Sequence, residues 1–293
     1  AMSVFKRCLP KVSSSRFPPF LYAANVESNV NYPRRTRLWL RLKLRNKFPL
    51  YTRDVLSEET LRRLLPRHKI STVGDIVLHM EASTNNPVHA FCQGRYVAVT
   101  LAPRWDDEPA WHKWIALQLS NTAKELDAAL VFVPCAEKYD DDRPTHNIVA
   151  DLIDRTEPGL EIHCMQGLIE PRVVSAVYRD ALVTIGMRLH ACVMSYSQRT
   201  PFVGIIYHPK MLGFARTVGQ TEFTVPNHEL PRQDLGKYGY SFSTLNAGNA
   251  NISALAVKAV ESMNFASLDL LKERSSAAFL NIISFVKSGI CET

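Results

Sequence analysis

From Arg95 to Tyr207 the chain alternates apolar runs of strand length with longer amphipathic stretches, and few patterns restrict a fold so tightly. "RYVAVTLA", "AALVFVP", "LEIHC", "ALVTIG" and "PFVGIIY" read as strands. "EPAWHKWIALQLSNTAKEL", "THNIVADLIDRT", "EPRVVSAVYRD" and "LHACVMSYSQR" read as the helices between them, the first with Trp111, Trp114, Ile115 and Leu119 on related faces. A strand that is apolar at every position is covered on both faces. Strands joined through helices run parallel. The expectation is an α/β protein with a parallel, doubly wound sheet.

The part before this region is shorter and more basic. Residues 1–19 are Ser- and Pro-rich and read as a loose lead-in, followed by a short strand in "FLYAAN". In "RRTRLWLRLKLRNKFPLYTRD" leucines alternate with basic residues, but Leu, Arg and Lys all favour helix, so a basic helix and then a strand in "FPLYTRD" is expected. "SEETLRRLLPRHK" is a helix with Ser57 as its N-cap, Glu58 and Glu59 in the first turn, and Pro66 ending it. "GDIVLHM" is expected as a strand. The tail holds one helix over "ISALAVKAVESM" and a longer one over "SLDLLKERSSAAFLNIISFVKS". A division into an N-terminal unit, 1–92, and a fuller C-terminal unit, 93–293, follows.

Composition narrows the function. With 293 residues and 46% hydrophobic content the chain can bury sizeable cores. No apolar run reaches the roughly 18 residues of a membrane span, and no targeting segment is evident, so a cytoplasmic location is expected. The six cysteines are scattered without a CxxC pair, which argues for small buried thiols and against a zinc site. The formal charge of +7 favours an anionic partner.

Ligands of doubly wound sheets sit beyond the carboxyl ends of the strands, where loops enter helices. There "ALVTIG" leads at once to Arg188 and His190, and "PFVGIIY" leads to His208 and Lys210. Backbone N–H groups and the helix dipole already favour an anion at such turns. Arginine adds a fork suited to phosphate or carboxylate, and histidine a proton donor or acceptor near neutral pH. Singly, each could equally be a residue paired inside the fold. Four cations on two adjacent strand ends read as an anion site. Asp141 and Asp142 follow the end of another strand, where they suit either acceptor hydroxyls or a helix N-terminus. The basic stretch Arg34–Lys47 reads either as a solvated face or as contact with an anionic membrane surface.

The block "GMRLHACVMSYSQRTPFVGIIYHPK" resembles the polysaccharide pyruvyl transferases, whose C-terminal half carries an MRLH turn, a helix, a Pro-led strand and a Tyr-x-Pro-Lys turn. "PLYTRDVLSEETLRRL", "STVGDIVLHM" and "FVPCAEKYDDD" are similar, in order, to further family segments. The resemblance covers roughly residues 20 to 218. It implies a glycosyltransferase-B-like architecture of two Rossmann-like domains, with donor phosphoenolpyruvate on the C-terminal side and a sugar or glycan acceptor, free, nucleotide-linked or lipid-linked, on the N-terminal side. Pyruvate would pass to two sugar hydroxyls as a ketal with release of phosphate, in cell-surface glycan biosynthesis.

That reaction demands neither metal nor cofactor. Arg188 would clamp carboxylate or phosphate, His190 would serve as general acid or base, and Lys210, beside His208, would neutralise the departing phosphate. Arg53 would reach across from the first domain, with Asp54 holding its turn. Two departures from the family pattern stand out. Arg104 in "TLAPRW" arrives late for a donor ligand. The family's opening strand and Gly-rich turn are not found, so the first domain is expected to be shortened.

Two rivals keep their place. A glycosyltransferase of the same architecture would use a nucleotide-sugar, but the chain has only 12 glycines and no convincing Gly-rich diphosphate loop. A non-catalytic binder of anionic membrane or nucleic acid would use Arg34–Lys47. Leucine rather than stacking aromatics interleaves there, so nucleic acid is not expected.

Overall fold

The computed structural model describes residues 21–26, 32–43, 49–103, 109–137, 140–167, 169–226 and 251–291. They form two parallel sheets. The first has three strands in the order β1-β2-β3: β1 (Leu21–Ala24), β2 (Leu50–Thr52) and β3 (Ile70–Thr72). Helices α1 (Arg34–Lys43) and α2 (Val55–Leu64) lie between them in sequence. Leu40, Leu61, Leu64 and Leu65 pack with Leu50 and Ile70 as the core of this unit.

The second sheet has six strands in the order β6-β5-β4-β7-β8-β9, all parallel. Its strands are β4 (Tyr96–Thr100), β5 (Ala129–Phe132), β6 (Ile162–Cys164), β7 (Val183–Gly186), β8 (Phe202–Ile206) and β9 (Thr224–Pro226). The helices are α3 (Pro109–Leu126), α4 (Arg143–Thr156), α5 (Pro171–Asp180), α6 (Leu189–Ser197) and α7 (Pro209–Val218), then α8 (Ile252–Ser262) and α9 (Ala266–Cys291). Every residue of β4, β5, β7 and β8 is buried, as expected for strands covered on both faces. Strand order reverses between β4 and β7. That opens a crevice beyond their carboxyl ends, the usual ligand position in such sheets.

Two features of the first unit differ from the sequence expectation. The cap of α2 is Asp54, whose Oδ1 accepts the Ser57 N–H at 2.8 Å. Ser57 lies inside the first turn, and its hydroxyl bonds instead with the Val26 backbone. An Asp three residues ahead of Ser57 outcompetes it for the end of the helix. "GDIVLHM" is a short 3-10 turn, Ile76–His79, rather than a strand. Gly74 has φ +87°, and a Cβ there would lie 2.9 Å from Leu78 Cδ1. The chain therefore turns away at Gly74, and Asp75 caps the new turn by accepting the Val77 N–H at 3.0 Å. Strands β3 and β9 are too short to leave a periodic signal, and α7 was masked by the Pro-Lys turn that opens it.

Helix α9 returns to the first sheet. The Tyr22 hydroxyl donates to the Ser275 carbonyl at 3.1 Å, and Tyr51, Val73 and Ala278 form a shared apolar cluster. A boundary drawn in sequence at residue 92 does not convey this return. Along the other contact, the Val55 N–H donates to Thr217 Oγ1 on α7 at 3.0 Å. Thus α2 starts against α7.

Candidate functional site

The β2–α2 turn, the 3-10 turn after β3, the N-terminus of α6 and the N-terminus of α7 meet where the two sheets join. Arg53 leaves β2 and is 15% exposed. Its guanidinium donates to Asn25 Oδ1 at 2.7 Å and lies 3.5 Å from Asp75 Oδ2 and 3.6 Å from Asp54 Oδ2. Asp54 is buried against α7. A Cβ on Gly213 would come within 3.0 Å of Asp54 Oδ1, so this approach requires glycine.

His190 comes from the second sheet, in the first turn of α6. Half of its side chain, 52%, is open, and Nε2 stands 3.8 Å from Asp75 Oδ2. Burial of the remainder, then the charges of Arg53 and Lys210, hold the imidazole below its ordinary range against the pull of Asp75. The ring is therefore neutral near pH 7 and able to accept a proton. Lys210 is half-buried in the first turn of α7. His208 caps that helix, its Nδ1 accepting the Lys210 N–H at 3.2 Å. The structure thus brings together Arg53, Asp54, His190, His208 and Lys210, and adds Asp75 between the cations.

Arg188 is placed differently. It precedes α6 as the N-cap residue, and its guanidinium points to the loop after β5. It donates to Asp142 Oδ1 at 2.9 and 2.6 Å, to Asp140 Oδ2 at 2.7 Å and to the Asp140 carbonyl at 2.6 Å. Four hydrogen bonds against five donors leave at most one N–H for anything else. Burial alone would lower the guanidinium, but Asp142 and Asp140 more than offset it and hold it firmly protonated. Asp142 is fully buried. Its other oxygen accepts the backbone N–H of Cys135 at 2.9 Å and of Ala136 at 3.1 Å. Burial raises this carboxyl, against the pull of Arg188 and those N–H groups. Asp141 turns outward to Arg143, with Nε at 2.9 Å from Oδ1, and that pairing holds its carboxyl low. Both acids are thus engaged by their own chain. Arg104 lies outside the described residues.

Beneath the loops sits a polar chain that begins at buried Thr100 and Tyr178 and ends at exposed Cys135. The Thr100 and Tyr178 hydroxyls are 2.7 Å apart, with Cys135 Sγ 3.3 Å from Tyr178. His146 Nε2 accepts the Leu101 N–H at 3.0 Å, and burial pushes this imidazole down to about 3. A neutral histidine thus anchors the loop after β4.

Sequence reasoning missed Asp75 and Asn25 at the junction, and Asp140 at the guanidinium. Asp75 had a signal, since a Gly-Asp pair before a short apolar run marks a capped turn as well as it marks a strand. Asn25 and Asp140 had none, because each acts on a residue distant in sequence.

Two parallel α/β sheets, the larger doubly wound, joined with the charged strand ends at the junction and a terminal helix that crosses back, define the glycosyltransferase-B class of α/β fold. Solved structures agree. The UDP-GlcNAc 2-epimerase of Methanocaldococcus jannaschii superposes with a TM-score of 0.56 at 14% identity, covering 94% of this chain and 73% of that one. An E. coli structure described as trehalose-6-phosphate bound with UDP-2-fluoro glucose gives 0.52 at 10% identity, covering 98% and 70%. At such identities the likeness is one of fold. No curated protein matches the sequence. Over residues 7–209 the sequence matches the family described as polysaccharide pyruvyl transferase. The chain belongs to that family, a family of transferases.

Proposed function

We propose that the protein transfers pyruvate from phosphoenolpyruvate to two hydroxyls of one sugar, forming a ketal. The observation that carries this reading is the convergence at Asp75 of Arg53 from one sheet with His190 from the other, with Lys210 within electrostatic reach of His190. Phosphoenolpyruvate packs a carboxylate and a phosphate into a small volume, and closely spaced cations suit it. Two C–O bonds form to the central carbon, its bond to the phosphate oxygen breaks, and the methylene becomes methyl. One hydroxyl proton ends on that methyl and the other leaves with phosphate.

Arg53 and Lys210 hold the donor's anionic groups, and Lys210 offsets charge on the departing phosphate. His190, neutral at rest, takes a hydroxyl proton and can return it to carbon. Asp75 orients His190 and Arg53. Arg188 holds the loop after β5 through Asp140 and Asp142, with one N–H left to reach the donor, while Asp54 and His208 fix the two turns. No metal or further cofactor takes part in this scheme.

The acceptor is a sugar or glycan, and α1 favours one carried on lipid. Among the described residues no helix is long and apolar enough to cross a membrane. On α1, however, Leu38 is 60% and Leu42 67% exposed. They lie one turn apart beside exposed Arg34, Arg35, Arg37 and Arg41, a combination suited to an anionic bilayer surface. Residues 44–47 of the basic stretch lie outside the described residues. Vesicles with anionic lipid should retain the protein more than neutral ones, and Leu38→Ser with Leu42→Ser should weaken the retention. Equal retention on both would remove the membrane from the scheme.

Calorimetric titration with phosphoenolpyruvate, and separately with uridine diphosphate, tests the donor on wild type and Lys210→Met. Saturable phosphoenolpyruvate binding that Lys210→Met weakens at least tenfold is the expected result. Binding of uridine diphosphate alone would overturn it and point to a nucleotide-sugar donor.

A further inference from the structure

A second cluster of reactive side chains stands away from the junction, at the edge of the large sheet. Glu161 immediately precedes the edge strand β6 and His163 lies within it, two residues on, so an extended backbone sets both side chains on one face. The Glu161 carboxylate lies 2.7 Å from His163 Nε2. Cys92, from the segment just before β4, brings its sulfur to the same place. One donor atom from each of the three residues lies within 4.8 Å of the others. The three sit at graded depth, with Cys92 buried, His163 half-buried and Glu161 exposed.

Several observations set this group apart from an ordinary surface ion pair. A thiol, an imidazole and a carboxylate are the donor types that zinc-class ions select. Donors around a tetrahedral zinc stand about 3.5 Å apart, and these three lie within 4.8 Å of one another. The Phe91 ring packs on the His163 ring with centroids 4.7 Å apart, which limits the imidazole's orientation. Cys92 Sγ makes a long contact, 3.8 Å, to the Gly94 carbonyl and also interacts with the Glu161 carboxylate. A cavity of about 440 Å³ adjoins, lined by Phe91, His163, Met165 and Ile169. It can supply water or a small ligand as a fourth donor. Burial pushes the Cys92 thiol up, and the charge of Glu161 adds to this. Without a cation, the thiol keeps its proton.

We propose that Cys92, Glu161 and His163 form a site for a divalent transition-metal ion of the zinc class, with the fourth position supplied from the adjoining cavity. On binding, Cys92 gives its proton to solvent and becomes a thiolate. The imidazole presents a bare ring nitrogen and keeps its proton on the other. Affinity therefore rises with pH. The site is separate from the junction and does not depend on the donor proposed there.

Cobalt(II) is the probe, because a thiolate–cobalt bond gives a charge-transfer absorbance. Titration of the full chain should show that absorbance saturating at one equivalent and disappearing when zinc is added. Cys92→Ser should abolish it, and His163→Ala should weaken binding at least tenfold. Glu161→Gln, at an exposed position that tolerates change, should also weaken it at least tenfold and serves if Cys92→Ser fails to fold. No thiolate band at saturating cobalt, or a band that survives in folded Cys92→Ser or is unmoved in Glu161→Gln, would overturn the assignment.

Discussion

At the scale of single residues, the two histidine- and arginine-bearing positions of the MRLH turn have opposite environments. Arg188 is 13% exposed and Asp142 is 0% exposed, and they are joined at 2.6 Å. Removing the guanidinium strands a buried carboxylate, a loss of about 3–5 kcal/mol by precedent. Arg188→Ala should therefore lower the thermal midpoint sharply, and Arg188→Lys should not restore it, since lysine has no fork. An Arg188→Ala protein of wild-type stability would disprove the pairing. His190 is a half-open residue with no comparable structural load, and His190→Ala should fold normally while losing about 10²–10⁴-fold in turnover. Its pH dependence has a definite sign. The imidazole lies below its ordinary range, and Asp75 is the group that pulls it upward. Activity of the basic form should rise with pH through a midpoint below the usual histidine value. Asp75→Asn should move that midpoint further down; an upward move in the pH profile of kcat/KM would reject the Asp75–His190 coupling.

At the scale of elements, the decisive contact is the start of α2 against α7. A glycine inside a helix ordinarily costs about 1 kcal/mol relative to alanine, so Gly213→Ala should stabilise on propensity alone. Here the added Cβ would stand 3.0 Å from Asp54 Oδ1. That carboxylate cannot easily yield, since it caps α2 through Ser57 at 2.8 Å and sits beside Arg53. Overpacking costs about 1–3 kcal/mol and exceeds the propensity gain. Gly213→Ala is expected to lower the midpoint of thermal unfolding, and a rise would show that the two helices can separate freely.

At the scale of the whole molecule, the two sheets are held by α9 on one side and by the α2–α7 contact on the other. Asp75 spans the junction, 3.5 Å from Arg53 and 3.8 Å from His190. A donor bound by Arg53 and Lys210 would tie both units together. At a hundred times its dissociation constant it should stabilise the fold by about 2.7 kcal/mol. Differential scanning calorimetry should then show one transition shifted upward by phosphoenolpyruvate and not by inorganic sulfate, with the shift lost in Lys210→Met. Two transitions, only one of them moved, would mean that the ligand sits on one sheet alone.

Much of this protein was legible from its amino acids, for a physical reason. Strand–helix alternation is local, written in runs such as "YVAVT" and "LHACVMSYS", so the parallel sheet and most of its helices follow from neighbouring residues. So does the placement of His190 and Lys210 on turns at strand ends, since a strand that stops and a helix that starts need no distant partner. The departures occur where a competing local or distant group decides. Asp54 displaced Ser57 as the cap, and Gly74 turned "GDIVLHM" out of a strand. Whether Arg188 faces a ligand or a carboxylate, whether Asp75 meets His190, and whether Cys92 meets His163 are questions about groups from separate segments. Only tertiary packing decides them, because a charge takes whichever partner folding brings within reach.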